Sequence, residues 1–237
     1  MSKRANADIT GEWLAFRTQL LTLISPILEA DYKSHGGFRP GGRNSLSTRE
    51  LLIVDSLGNF SEINDSVRRL EEISVLLRYS PPKQWGMSKP SFLQFLIESY
   101  LQEIYVLRNR LTTYATWIAK RLHRSHQENR VTLSRLNRQM IKSFEGRSDT
   151  RSQFVHNHRY TDKELTDAFA YQLIAEHKGI GDEESEVRMW RRAASHSYLK
   201  ARKTFNKTVA EDKLAIEQLL QHYFQVLNPI VFNALLK

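Results

Sequence analysis

The 237-residue chain contains no cysteine. That excludes a disulfide scaffold, a thiolate metal site and a cysteine nucleophile, and it fits a reducing compartment. Glycine and proline are scarce, ten and six residues in all, and they cluster, so long stretches carry no helix breaker. No run approaches the ~18 consecutive apolar residues of a membrane span. The segment Met1 to Asp8 has no apolar core behind its charges and does not read as a secretory signal. The expected setting is cytoplasmic, without a membrane partner. Acids are outnumbered, 26 against 35 Lys and Arg, which leaves a net charge of +9. Such an excess draws polyanions to a surface but says nothing about fold.

What remains is an apolar pattern with helical spacing. Over residues 9–30, Trp13, Phe16, Leu20, Leu23, Ile24, Ile27 and Leu28 recur at three- and four-residue steps, which predicts a first helix. Residues 35–45 hold four of the ten glycines and predict a loop; without a preceding strand or a following Gly-Lys-Ser/Thr, they do not form a phosphate cradle. Ser47 and Glu50 have the spacing of a capping box, opening a short helix to about Leu57 that Gly58-Asn59 should end. A further helix is expected from Ser61 to Tyr79, stopped by Pro81-Pro82. Residues 80–87 are the clearest boundary: 1–87 is expected as an N-terminal helical layer and 88–237 as the main helical bundle, the two forming one continuous domain.

A long helix is expected next, from about Ser88 to Ser125, with Ser88 as cap and Pro90 in the first turn. Arg108 interrupts its apolar stripe and is read as phase drift or a snorkelling side chain. Residues 128–144 predict another helix, with Val131, Leu133, Leu136, Met140, Ile141 and Phe144 as its apolar positions, ended by Gly146. Thr161 to Glu164 has the form of a second capping box. Gly179 to Gly181 breaks the helix it opens. A long final helix then runs to about Leu227 before Asn228-Pro229 bends the chain. The expected fold is all-α, an elongated bundle of about six to eight helices, with no strand and no internal repeat.

Charge is unevenly placed. Residues 101–160 carry twelve Lys and Arg against four acids, and ten of the twelve are arginine. Solvated helix faces ordinarily mix both signs. The guanidinium fork also suits phosphate better than an ammonium does. Arg135, Arg138, Lys142, Arg147 and Arg159 are therefore the expected nucleic-acid contacts. The run ends in 147–160, expected as a non-helical stretch holding Arg147, Arg151, Arg159, His156 and His158 with a single acid, Asp149.

Within that stretch Arg151 and His156 are separated by four residues. A histidine can take the proton from an RNA 2′-hydroxyl. An arginine beside it can stabilise the extra charge of the phosphorane-like transition state. No metal or other cofactor is needed, because the internal hydroxyl is the nucleophile. The same spacing occurs at Arg121 to His126 and at Arg191 to His196. The 151–156 copy differs from these in following a glycine, in its polar second residue Ser152 beside apolar Phe154 and Val155, and in ending the basic region. A basic connection with solvated histidines is the plain alternative. Metal ligation by His156 and His158 lacks a visible ligand set.

The pattern Arg151-Ser-Gln-Phe-Val-His156 resembles the motif of the HEPN superfamily, an Arg, a polar residue, a few more residues and a His. The resemblance implies a HEPN-like helical bundle that forms a homodimer, with two motif copies in a shared cleft. It also implies a metal-independent endoribonuclease, of the kind found in toxin–antitoxin or phage-defence systems, with an antitoxin protein as a further partner. Carried across, Arg151 and His156 are the catalytic pair and Ser152 takes the polar place. His158 stands where one branch has a tyrosine, and Tyr160 follows two residues later. His158 also fits the longer spacing as an alternative base. The second reading is a non-catalytic HEPN-like helical adaptor that binds nucleic acid or a partner protein.

Overall fold

A computed structural model describes residues 11–35, 46–156, 162–178 and 184–236, and at 31, 34, 35, 83, 146–156 and 178 the backbone alone. Six α-helices account for nearly all of these residues: α1 (Glu12–His35), α2 (Thr48–Leu76), α3 (Lys89–Arg121), α4 (Gln127–His156), α5 (Lys163–Lys178) and α6 (Glu184–Ile230). There is no strand among the described residues, and the class is all-α as expected. A 3₁₀ turn at Lys83–Trp85 separates α2 from α3, and a π-helical turn, Val231–Leu235, follows α6.

Local chemistry sets several of the helix starts. Glu50 N–H donates to Ser47 Oγ (3.3 Å), and Ser47 N–H to Glu50 Oε2 (2.7 Å), so both arms of the expected capping box are made. Ser88 Oγ accepts from Ser91 N–H and begins α3. At α5 it is Asp162 whose carboxylate accepts from Leu165 N–H (3.0 Å); Thr161, the expected cap, lies outside the described residues. The start of α1 is capped from α6: Glu12 N–H donates to Gln221 Oε1 at 2.8 Å. Gly11 precedes it with φ +74°, the left-handed region that favours glycine, and a Cβ there would fall 2.6 Å from the same oxygen and displace the Gln221 amide.

Two expected breaks do not occur. α2 runs unbroken through Gly58-Asn59, where a stop was expected, and α4 runs through Gly146 to His156, so residues 147–156 are helical rather than irregular. A glycine inside a helix costs only about 1 kcal/mol relative to alanine. On α2 that is outweighed by Ile53, Phe60 and Ile63, all buried along one face on both sides of Gly58. Asn59 does not compete with the helix, because its amide donates back to Asp55 O (2.8 Å). At the other end of the chain, Pro229 is accommodated in the last turn of α6 instead of ending it.

The described residues pack as two compact units, Met1–Asp65 with Leu107–Ser143 and Ala215–Lys237, and Ser66–Val106 with Phe144–Leu214. The boundary expected near residue 87 lies between two helices, and each unit draws on both sides of it.

The first unit is built on an aromatic cluster. Phe16 lies fully buried, its ring centroid 4.9 Å from Phe224, 5.2 Å from Phe232, 5.7 Å from Phe60 and 6.4 Å from Tyr114. The phenols in this core are satisfied: Tyr114 bonds the Ser56 hydroxyl, and Tyr223 donates to Leu111 O at 2.6 Å. In the second unit, Tyr100 donates to the buried Asp212 carboxylate (3.2 Å), and Arg202 donates to Leu77 O at the end of α2 (2.6 Å).

Burial pushes the Tyr114 and Tyr223 phenols well above the ordinary value of 10. In the unfolded chain they ionise near pH 10, whereas in the folded chain they keep their protons. Above that pH the folded state holds more protons, so stability is fully present below about pH 10 and falls as pH rises from there, by about 1.4 kcal/mol per pH unit for each phenol. Urea unfolding at about pH 9 and about pH 11 should show a larger loss for wild type than for Tyr114→Phe. Equal losses would contradict this account.

Candidate nucleic-acid interface

The basic region begins on α3 and continues along α4. Within the first unit, α4 buries Leu133, Leu136 and Met140 at steps of three and four residues. A helix advances about 100° per residue, so Arg135, Arg138 and Lys142 fall on the opposite side. All three are exposed and make no ion pair among the described residues. Asn137, at the margin, donates to Thr116 Oγ1 (3.0 Å) and fixes the rotation of α4 against α3. The span from Arg135 to Lys142 is about 10 Å at 1.5 Å per residue, and one strand of a duplex carries about one phosphate per 3.4 Å of axis. Three cations over that length stand about 4.5 and 6 Å apart along the axis, wider than that rise but bridged by the reach of long Arg and Lys side chains.

The turn between α3 and α4 adds to this charge. Lys120, Arg121, His123 and Arg124 are exposed there. The Arg121 guanidinium lies 4.2 Å over the Trp117 ring, which holds it in place while leaving its edge open. Other cations of the region do structural work. Arg110 pairs with Glu62 (3.2 Å) and donates to its carbonyl (2.6 Å). Arg130 donates to Leu122 O and closes the C-terminal end of α3. Arg108 is half-buried and donates to Asn109 Oδ1 (3.3 Å). The nine of these twelve cations whose side chains are described therefore divide into a scaffold set and an exposed set.

Arg147, Arg151, Ser152 and His156 lie on the last turns of α4, while His158, Arg159 and Tyr160 lie outside the described residues. Arg151 follows the buried Phe144 by seven residues and repeats its helical register. His156 stands five residues further on, about 140° around the axis. The two positions occupy different sides of α4. The rival spacings differ in setting: Arg121 to His126 spans the α3–α4 turn, and Arg191 to His196 lies on the exposed side of α6.

Among the described residues no group of three or more His, Asp or Glu is arranged to hold a metal ion, and no helix is long and apolar enough to cross a membrane. No protein-family model matches the chain, and no curated protein or solved structure is significantly similar to it.

Proposed function

We propose that the protein binds RNA through the exposed cationic face of α4. The observation that carries this reading is the line Arg135, Arg138 and Lys142, which is solvent-exposed and unpaired among the described residues while nearby Arg110 and Arg130 are committed to the scaffold. An arginine kept in water opposite an apolar stripe costs nothing to present and gains by releasing counterions from a polyanion. Lys120, Arg121 and Arg124 extend the same electropositive surface at the α3–α4 turn. Anisotropy of a labelled single-stranded RNA, read at several salt concentrations, tests the reading; affinity without salt dependence would overturn it.

A second reading, metal-independent cleavage of that RNA, is favoured by the position of Arg151 and His156 on the same helix as the cationic face. In this reading His156 takes the 2′-hydroxyl proton and Arg151 stabilises the phosphorane charge. Because the two positions differ by about 140° around α4, one phosphate would meet both only in a cleft completed by a second copy, as the HEPN resemblance implies. RNA cleavage in EDTA should then be lost, by about 100-fold or more, in His156→Ala. Equal cleavage by wild type and variant would remove His156 from the mechanism and leave the adaptor that binds nucleic acid or a partner protein without cutting.

A further inference from the structure

Between Glu186 and Glu211 the chain has seven Lys and Arg and no acid. This segment lies on α6 within the second unit, where Val187, Ala194, Tyr198, Ala201, Phe205 and Val209 form its buried stripe. Four of the seven cations have partners inside that unit. Arg188 pairs with Glu184 (3.8 Å), Lys200 with Glu164 (2.8 Å) and Lys207 with Glu211 (3.8 Å), and Arg202 donates to Leu77 O (2.6 Å). Arg191, Arg192 and Lys203 are exposed and have no partner among the described residues. Arg192, His196 and Lys203 follow one another at steps of four and seven residues, so they share one line on the exposed side. That line is about 16 Å long and has no carboxylate within it.

We propose that Arg192, His196 and Lys203 form a second phosphate-backbone site on α6, separate from the face of α4. The ligand class, single-stranded RNA, rests on the function proposed above, but no residue of α4 enters the site. A second copy of the chain is a poor occupant. Antiparallel pairing about the centre of the line sets Arg192 against Lys203 and Glu184 against Glu211, like charge against like. An acidic helix is also disfavoured. The exposed Met189 and Leu199 flank the line, but a helical partner would have to bury Arg192, His196 and Lys203 in the seam and strip them of water. A phosphate backbone leaves them solvated.

The test is the binding stoichiometry of fluorescein-labelled hexauridylate, titrated at low salt into the full chain at concentrations above Kd. Wild type should take up two equivalents, and R192E/K203E and R135E/R138E/K142E one each. R17E/K33E, which reverses two exposed charges on α1, should keep both. Circular dichroism confirms that each variant is folded. If R192E/K203E binds as wild type does, or if R17E/K33E loses as much, the α6 site is overturned. If wild type takes up one equivalent and only R192E/K203E abolishes it, the α6 site stands and the α4 reading fails.

Discussion

Phe16→Ala is expected to destabilise the protein by about 3–5 kcal/mol, the range for removing a fully buried phenylalanine. Four other rings from α2, α3, α6 and the C-terminal turn surround the site at 4.9 to 6.4 Å and resist collapse onto so large a void. Their edge-to-face and tilted contacts add roughly 0.5–1.5 kcal/mol per pair to the loss of buried area. Against a typical total stability of about 5–15 kcal/mol, this is a large fraction. The melting temperature should fall by about 6–20 °C for a chain of this size. Leu14→Ala, on the exposed side of the same helix, should change it little. Thermal unfolding followed by circular dichroism separates the two. A loss at Phe16 below about 1 kcal/mol would mean that the cluster is not the core of the first unit.

The second large effect is on binding. R135Q/R138Q/K142Q should weaken single-stranded RNA binding at the α4 face by about 100-fold, from three exposed phosphate contacts worth about 1 kcal/mol each. The slope of log K against log salt should become shallower by about 2, at roughly 0.7 per contact on a single strand. Stability should hold, since none of the three side chains has a partner to lose among the described residues. Arg110→Gln gives the opposite signature. It breaks the links to Glu62 and should lower the unfolding midpoint while leaving the salt slope alone. Anisotropy titrations across a salt series, together with urea unfolding, read both quantities.

Much of the helical framework is legible in the residues. The capping chemistry at Ser47 and Ser88 announces two helix starts, and both are made in the structure. The apolar spacing of Leu133, Leu136 and Met140 is enough to place Arg135, Arg138 and Lys142 on the far side of α4. The errors come from treating glycine as a stop. A local cost of about 1 kcal/mol decides a boundary only where no buried stripe continues past it; at Gly58 one does.

Long-range facts were not legible. Arg110 and Arg138 look alike in sequence, and the difference lies in Glu62, 48 residues away. The two units interleave segments from both halves of the chain, which no local pattern encodes. The α6 run was hidden by its neighbourhood. Residues 161–186 hold eight acids against two bases, so a net count over residues 161–237 cancels. A shorter window, restricted to 187–210, exposes it.

Photocrosslinking with 4-thiouridine-substituted RNA tests the central claim most directly, because it reports where RNA lies rather than how tightly it binds. After irradiation and tryptic digestion, adducts should map to peptides within 120–145, covering the α3–α4 turn and the cationic face of α4. They should disappear from those peptides in R135Q/R138Q/K142Q. Adducts confined to α1, α2 and α5, with the α4 peptides unmodified, would contradict the account.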